Sequence, residues 1–146
     1  MFDYFQSADL ADLQWKLQDF APGAGLDVGA QAVDYDDTDW LAVNVPGDIH
    51  QTLINAGRIK HPFYDRNESE CAWMEEREWW YRLRFEGPTT LPSAGERHRL
   101  IFEGVDTYAT IWLNGEKLGE TSSMFFPWAY DVTQQNCYRI ASSKSR

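Results

Sequence analysis

The chain has few of the residues that several kinds of protein depend on. Its 146 residues include two cysteines, three histidines and thirteen basic side chains. Cys71 and Cys137 are far apart and form no CxxC arrangement, which excludes a zinc ribbon or a disulfide-dense scaffold. Two thiols in a reducing compartment is the simpler expectation. His50, His61 and His98 share no element at ligand spacing, and the acidic run from Asp34 to Asp39 lacks the spacing of an EF-hand loop. Neither a metal nor any other cofactor is expected. No apolar run approaches the roughly 18 residues needed to span a bilayer, so a transmembrane protein is excluded and no membrane partner is expected. Thirteen Lys and Arg against 23 Asp and Glu give a formal charge of −10, the wrong sign for a nucleic-acid backbone. GxSxG is absent, and Gly23-Ala24-Gly25 has neither the spacing nor the strand–helix setting of a phosphate loop. Glu75, Glu76 and Glu78 cluster where a strand begins, which reads as a solvated face and not as the spaced acid pair of a glycosidase. No catalytic residue is expected in this chain.

Aromatic side chains, by contrast, are plentiful: 7 Trp, 7 Tyr and 8 Phe. With 43% hydrophobic residues they suffice for an ordered core, which rules out disorder. Rings with abundant carboxylates are a composition suited to sugar binding. Met1 to Gln18 holds Asp3, Asp9 and Asp12 and no basic or apolar leader pattern, so the cytoplasm is the expected location.

Hydrophobic alternation dominates. Trp15 to Gln18 is a short strand, followed by a Gly-, Ala- and Asp-rich loop from Ala21 to Asp39 whose acidic end reads as solvated. Leu41 to Val45 is extended and stops at Pro46-Gly47. Asp48 then caps one short helix with Ile49, Leu53 and Ala56 on a single face and Gly57 as its stop. Trp79, Tyr81, Leu83 and Phe85 form an inward face, alternating with Trp80, Arg82 and Arg84. Arg99 to Glu103 is extended. Ala109, Ile111 and Leu113 alternate with Tyr108, Thr110 and Trp112, and Asn114-Gly115 is the strongest short hairpin signal a sequence offers. The spacing predicts one all-β, antiparallel sandwich with one short helix.

The segment between Arg58 and Trp79 mixes Phe63, Tyr64, Trp73 and Trp79 with Asp65, Arg66, Asn67 and Glu68. Rings stack on the apolar face of a pyranose while amides and carboxylates bind its hydroxyls. The same rings could equally plug the end of the sandwich, a reading that weighs more for Phe63 and Trp79 than for Asn67 and Trp73.

Val45-Pro46-Gly47-Asp48-Ile49-His50, Leu53, Gly57, Ile59, Pro62-Phe63-Tyr64, Asn67-Glu68, Trp73, Trp79 and Tyr81 form an ordered set. Phe102-Glu103-Gly104-Val105-Asp106-Thr107-Tyr108-Ala109, Trp112-Leu113-Asn114-Gly115, Leu118-Gly119, Met124-Phe125 and Asp131-Val132-Thr133 continue it. Together, over about residues 13 to 133, they resemble the N-terminal region of the β-mannosidases of glycoside hydrolase family two. The resemblance implies a jelly-roll, galactose-binding-like β-sandwich, which in that family precedes two immunoglobulin-like domains and a catalytic barrel carrying both catalytic glutamates. It implies a mannose-containing ligand, the barrel as partner, and Asn67, Glu68 and Trp73 as substrate-binding residues. Asp106 and Thr107 would shape a tight turn. The intact enzyme would hydrolyse terminal β-mannosyl residues; this chain alone would not. A free-standing carbohydrate-binding module and a protein-interaction domain are the alternatives. After Thr133 the chain departs from the family pattern, so the single domain of residues 1–146 is expected to be truncated or altered there. Asn136 to Ile140 would then be the remnant of a strand, and the exposed edge would favour homo-oligomers.

Overall fold

Alternating residues become eight strands in the computed structural model, which describes residues 7–61, 67–87, 92–135 and 138–144. In chain order these are β1 (Trp15–Phe20), β2 (Leu41–Val43), β3 (Glu78–Phe85), β4 (Arg99–Phe102), β5 (Ala109–Leu113), β6 (Glu116–Thr121), β7 (Trp128–Asp131) and β8 (Tyr138–Lys144). Six form a sheet in the order β2-β1-β3-β8-β5-β6, and β4 pairs with β7 in a second sheet. Every pairing is antiparallel. The all-β sandwich is therefore as the spacing predicts. Asn114 (φ 53°) and Gly115 (φ 84°) make the β5–β6 turn, both in the left-handed region that such a hairpin requires.

The expected helix is present as α2 (Ile49–Asn55), with Asp48 accepting from the backbone N–H groups of His50 and Gln51 at 2.6 and 3.4 Å. Gly57, at φ 67°, ends it. Three further helical pieces were not expected: α1 (Ala24–Asp27), α3 (Asn67–Cys71) and a 3₁₀ turn (Ala72–Glu76). Each is too short to carry a helical hydrophobic period, so the sequence gives no periodic signal for them.

Beyond Thr133 the structure differs from the expected remnant. β8 runs seven residues, Tyr138–Lys144, and lies inside the large sheet between β3 and β5. Its register places Ile140 opposite both Leu83 and Leu113, and Lys144 opposite both Trp79 and Ala109. Small and polar residues (Ala141, Ser142, Ser143) continue the strand because paired neighbours on both sides supply its backbone hydrogen bonds. A hydrophobicity pattern undervalues such a strand. The edges of the large sheet are the three-residue β2 and β6, and β6 is guarded. Tyr130 lies over Gly119, where a Cβ would come within 2.7 Å of its ring, and its hydroxyl donates to the Glu120 carbonyl at 3.4 Å.

The large sheet is buried on both faces, which corrects the one-sided reading of β3. One face, with Trp15, Leu17, Trp79, Leu83, Leu113 and Ile140, packs against α2 through Leu53 and against the small sheet through Leu100, Phe102 and Tyr130. The opposite face carries Trp80 and Trp112, stacked with centroids 4.9 Å apart and planes at 15°, and is covered by Ala30 and Trp40 of the loop after β1. Arg82, expected outside, is 2% exposed. Its guanidinium donates to Asp37 at 3.0 Å and to the carbonyls of Ala30 and Ala32, and lies over the rings of Tyr35 and Trp40. Asp37 likewise is not solvated: it also meets Lys16 at 3.1 Å and Arg84 at 3.2 Å. Glu78 is a further correction to the solvated-face reading. Buried at the start of β3, it accepts from the N–H groups of Gly23 and Gly25 and from the Trp80 indole.

Burial pushes the Asp37 carboxyl up, but the hydrogen bonds from Arg82 and Lys16 and the charge of Arg84 outweigh it, and the net effect is a lowered pKa. A lowered folded-state value stabilises the fold above the ordinary pKa of 3.8, and that contribution disappears as pH falls through the folded value. Arg82→Met leaves this carboxylate without its main buried partner and is expected to cost about 3–5 kcal/mol at pH 7. The check is urea unfolding at several pH values: the difference from wild type should be constant near neutrality and shrink below pH 3.8.

Candidate functional site

Of the seven tryptophans, five are buried (Trp15, Trp40, Trp79, Trp80 and Trp112) and Trp128 is half-buried. Trp73 alone is exposed, at 40%. It sits in the 3₁₀ turn that joins α3 to β3. Met74, next to it, is buried in the main core, and the Trp79 indole donates to the Met74 carbonyl at 3.2 Å. Arg77 ties the far end of the turn to β1 through an ion pair with Asp19 at 2.7 Å. Fixed at both ends, the turn holds the Trp73 ring tilted 43° against Trp79, centroids 6.0 Å apart, with the rest of the ring facing solvent.

Trp73 borders an open groove of about 420 Å³. The opposite wall is the stretch after α2, Gly57 to Lys60, held by the Arg58 N–H donating to the Leu53 carbonyl at 2.9 Å and by Ile59 packing on the core. Arg58, Lys60 and Glu70 bring charged groups to the groove and are all exposed, while Cys71 forms part of its buried floor. A ring beside hydrogen-bonding side chains in an open groove can hold a sugar by its apolar face and its hydroxyls together.

Asn67 and Glu68 lie in the first turn of α3, six and five positions before Trp73; the structure describes their backbone and not their side chains. Phe63, Tyr64, Asp65 and Arg66 lie outside the described residues, as does Cys137. The structure thus brings Trp73 to a groove and joins it to residues that the sequence reading did not single out: Arg58, Lys60 and Glu70. Arg58 and Lys60 follow the Gly57 helix stop, and that boundary was the signal available for them. Among the described residues no group of three or more His, Cys, Asp or Glu could hold a metal ion.

Residues 28–140 match the family model described as glycosyl hydrolase 2 galactose-binding domain-like. Among curated proteins, Beta-mannosidase B of Emericella nidulans is 38% identical over 96 residues, 65% of this chain and 11% of that protein. Beta-mannosidase of Mus musculus is 37% identical over 93 residues, 64% of this chain and 10% of that protein. The chain therefore spans about a tenth of the length of these relatives. Among solved structures, the beta-D-mannosidase of Dictyoglomus thermophilum superposes with a TM-score of 0.69 at 30% identity, covering 89% of this chain and 14% of that one. The exo-chitosanase of Amycolatopsis orientalis reaches 0.73 at 21% identity over 92% of this chain and 16% of its own, a likeness of fold alone.

Met74 anchors the turn and Trp73 is displayed by it, so substitutions at the two should separate. Met74→Ala is expected to cost about 2–5 kcal/mol, as for other buried large-to-small changes. Trp73→Ala should cost about 1 kcal/mol, the value of one exposed ring pair. Paired urea titrations check both; equal losses would mean that Trp73 is chiefly a packing residue.

Proposed function

The chain belongs to the glycosyl hydrolase 2 galactose-binding domain-like family, and from that premise we propose that it is the N-terminal sugar-binding domain of a β-mannosidase-like glycoside hydrolase. The observation that carries this reading is the family match over residues 28–140 together with relatives named as β-mannosidases. In the intact enzyme, terminal β-mannosyl residues are hydrolysed by carboxylates of a catalytic domain. This domain contributes recognition. Trp73 offers its ring to the apolar face of a mannosyl residue, and Asn67 and Glu68, six and five positions earlier, hydrogen-bond its hydroxyls. Among the described residues lining the groove, none is placed for acid–base chemistry. Its carboxylate, Glu70, is exposed, and the buried carboxylates Glu78 and Asp37 are engaged in holding the loop after β1.

No described helix is long and apolar enough to cross a membrane. We place the protein in the cytoplasm, a reading supported by the buried free thiol of Cys71.

Two measurements on the purified 146-residue chain test the assignment. An aryl β-mannoside should not be turned over. Mannose and manno-oligosaccharides should change the tryptophan fluorescence saturably, with Trp73→Ala weakening binding at least tenfold. Turnover by this chain alone, or identical titration curves for wild type and Trp73→Ala, would overturn it.

A further inference from the structure

The groove beside Trp73 carries more charge than a neutral sugar can use. Its walls bring together one ring, one carboxylate and two cations: Trp73, Glu70, Arg58 and Lys60. The ring suits the apolar face of a pyranose, and the carboxylate accepts from its hydroxyls. Arg58 and Lys60 are donors only, and each brings a positive charge that no hydroxyl answers. Basic side chains elsewhere are already engaged: among the described residues, Lys16, Arg77, Arg82, Arg84, Arg97 and Lys117 each form an ion pair with a carboxylate. Arg58, Lys60 and Arg99 are exposed and form none, and the first two line the same groove. Their backbone is fixed. The Arg58 N–H donates to the Leu53 carbonyl at 2.9 Å, and Ile59, between the two cations, packs on the core, so both charged side chains are presented outward. Glu70, in α3, pairs with neither, which leaves the groove one positive charge in excess.

That excess runs against the chain as a whole, whose formal charge is −10. Charges are screened beyond about 8 Å at physiological salt, so a ligand in the groove answers to the side chains that line it. A guanidinium forks onto two oxygens of a carboxylate or phosphate, and an ammonium beside it adds a second point of positive charge. We propose that the groove takes an acidic saccharide, with its carboxylate or phosphate ester on Arg58 and Lys60, its hydroxyls on Glu70 and the apolar face of its ring on Trp73. The proposal rests on the reading of this groove as a sugar site, and it names the class of sugar the groove prefers. Both cations stay in water, where ion pairs are weak, so the preference is modest, about fivefold.

Tryptophan fluorescence titrations of the 146-residue chain with methyl β-D-mannoside, D-mannuronate and mannose 6-phosphate test it. At about 20 mM salt the better acidic sugar should bind about fivefold more tightly than the neutral one, and the ratio should fall toward one at about 500 mM. Which acidic sugar binds better distinguishes a carboxylate from a phosphate ester. Arg58→Gln/Lys60→Gln should bring the ratio to about one, while Arg58→Lys/Lys60→Arg, which keeps both charges, should retain it. The replaced side chains are exposed and unpaired, so both variants should melt at the wild-type temperature. A wild-type ratio of one, with all three sugars saturating, overturns the proposal and leaves the sugar reading intact. The proposal is also overturned by a ratio that survives the two glutamines. Inorganic phosphate competing as strongly as mannose 6-phosphate overturns it as well, since that marks an adventitious anion site only. Saturation by the acidic sugars alone upholds it and rejects the expectation for neutral mannosides. No saturation with any of the three overturns both readings.

Discussion

The contact on which the rest of this sandwich depends is the buried pairing of Arg82 with Asp37. A guanidinium on the central strand β3 would be untenable beneath a loop without compensation, because an unpaired buried charge costs several kcal/mol. Here the loop supplies it: one carboxylate at 3.0 Å, the carbonyls of Ala30 and Ala32, and the rings of Tyr35 and Trp40. The loop is fastened by the charge it covers. Glu78 repeats this arrangement with opposite polarity at the start of the same strand, its carboxylate accepting from the N–H groups of Gly23 and Gly25. Gly25 lies so close to the Trp80 indole that a side chain there would collide with it, so the approach of α1 to the sheet requires glycine at this position.

With the second face of the large sheet sealed in this way, β3 is packed from both sides and becomes a rigid base for the turn that precedes it. Trp79 belongs to one core cluster and Trp80 to the other. The 3₁₀ turn ending at Glu76 is therefore joined to a strand with little freedom to shift, and Trp73 inherits that rigidity. A preorganised ring loses less entropy on capturing a sugar than a ring on a free loop. The link from Arg82 to the placement of Trp73 thus passes through packing, with no contact between the two.

Much of this was legible in the sequence, and the residues that were not share a cause. Asp48, Gly57 and Asn114-Gly115 act through local backbone geometry, which neighbouring residues specify, and each does in the structure what its spacing implies. Trp80, Arg82, Asp37 and Glu78 depend on contacts between residues tens of positions apart. A period-two pattern cannot tell a strand with one wet face from a strand whose polar face is covered by a distant loop carrying the complementary charge. β8 was read only as a remnant over residues 136–140, for a related reason. Its Ala-Ser-Ser-Lys run has little strand character of its own, and its place between β3 and β5 is set by the hydrogen bonds of its neighbours. Trp73 was singled out from its neighbours in sequence, but only the fold distinguishes it from the six tryptophans that are architecture.

The strand registers also relate Trp73 to the loop between β6 and β7, where Phe125 is 83% exposed. Trp79, Lys144, Ala109 and Thr121 lie in one row across β3, β8, β5 and β6. The turn bearing Trp73 and the loop bearing Phe125 accordingly leave the same end of the sheet, three strand spacings or about 14 Å apart along that row. An open groove of about 420 Å³ leaves more of any occupant in water than an enclosed pocket does.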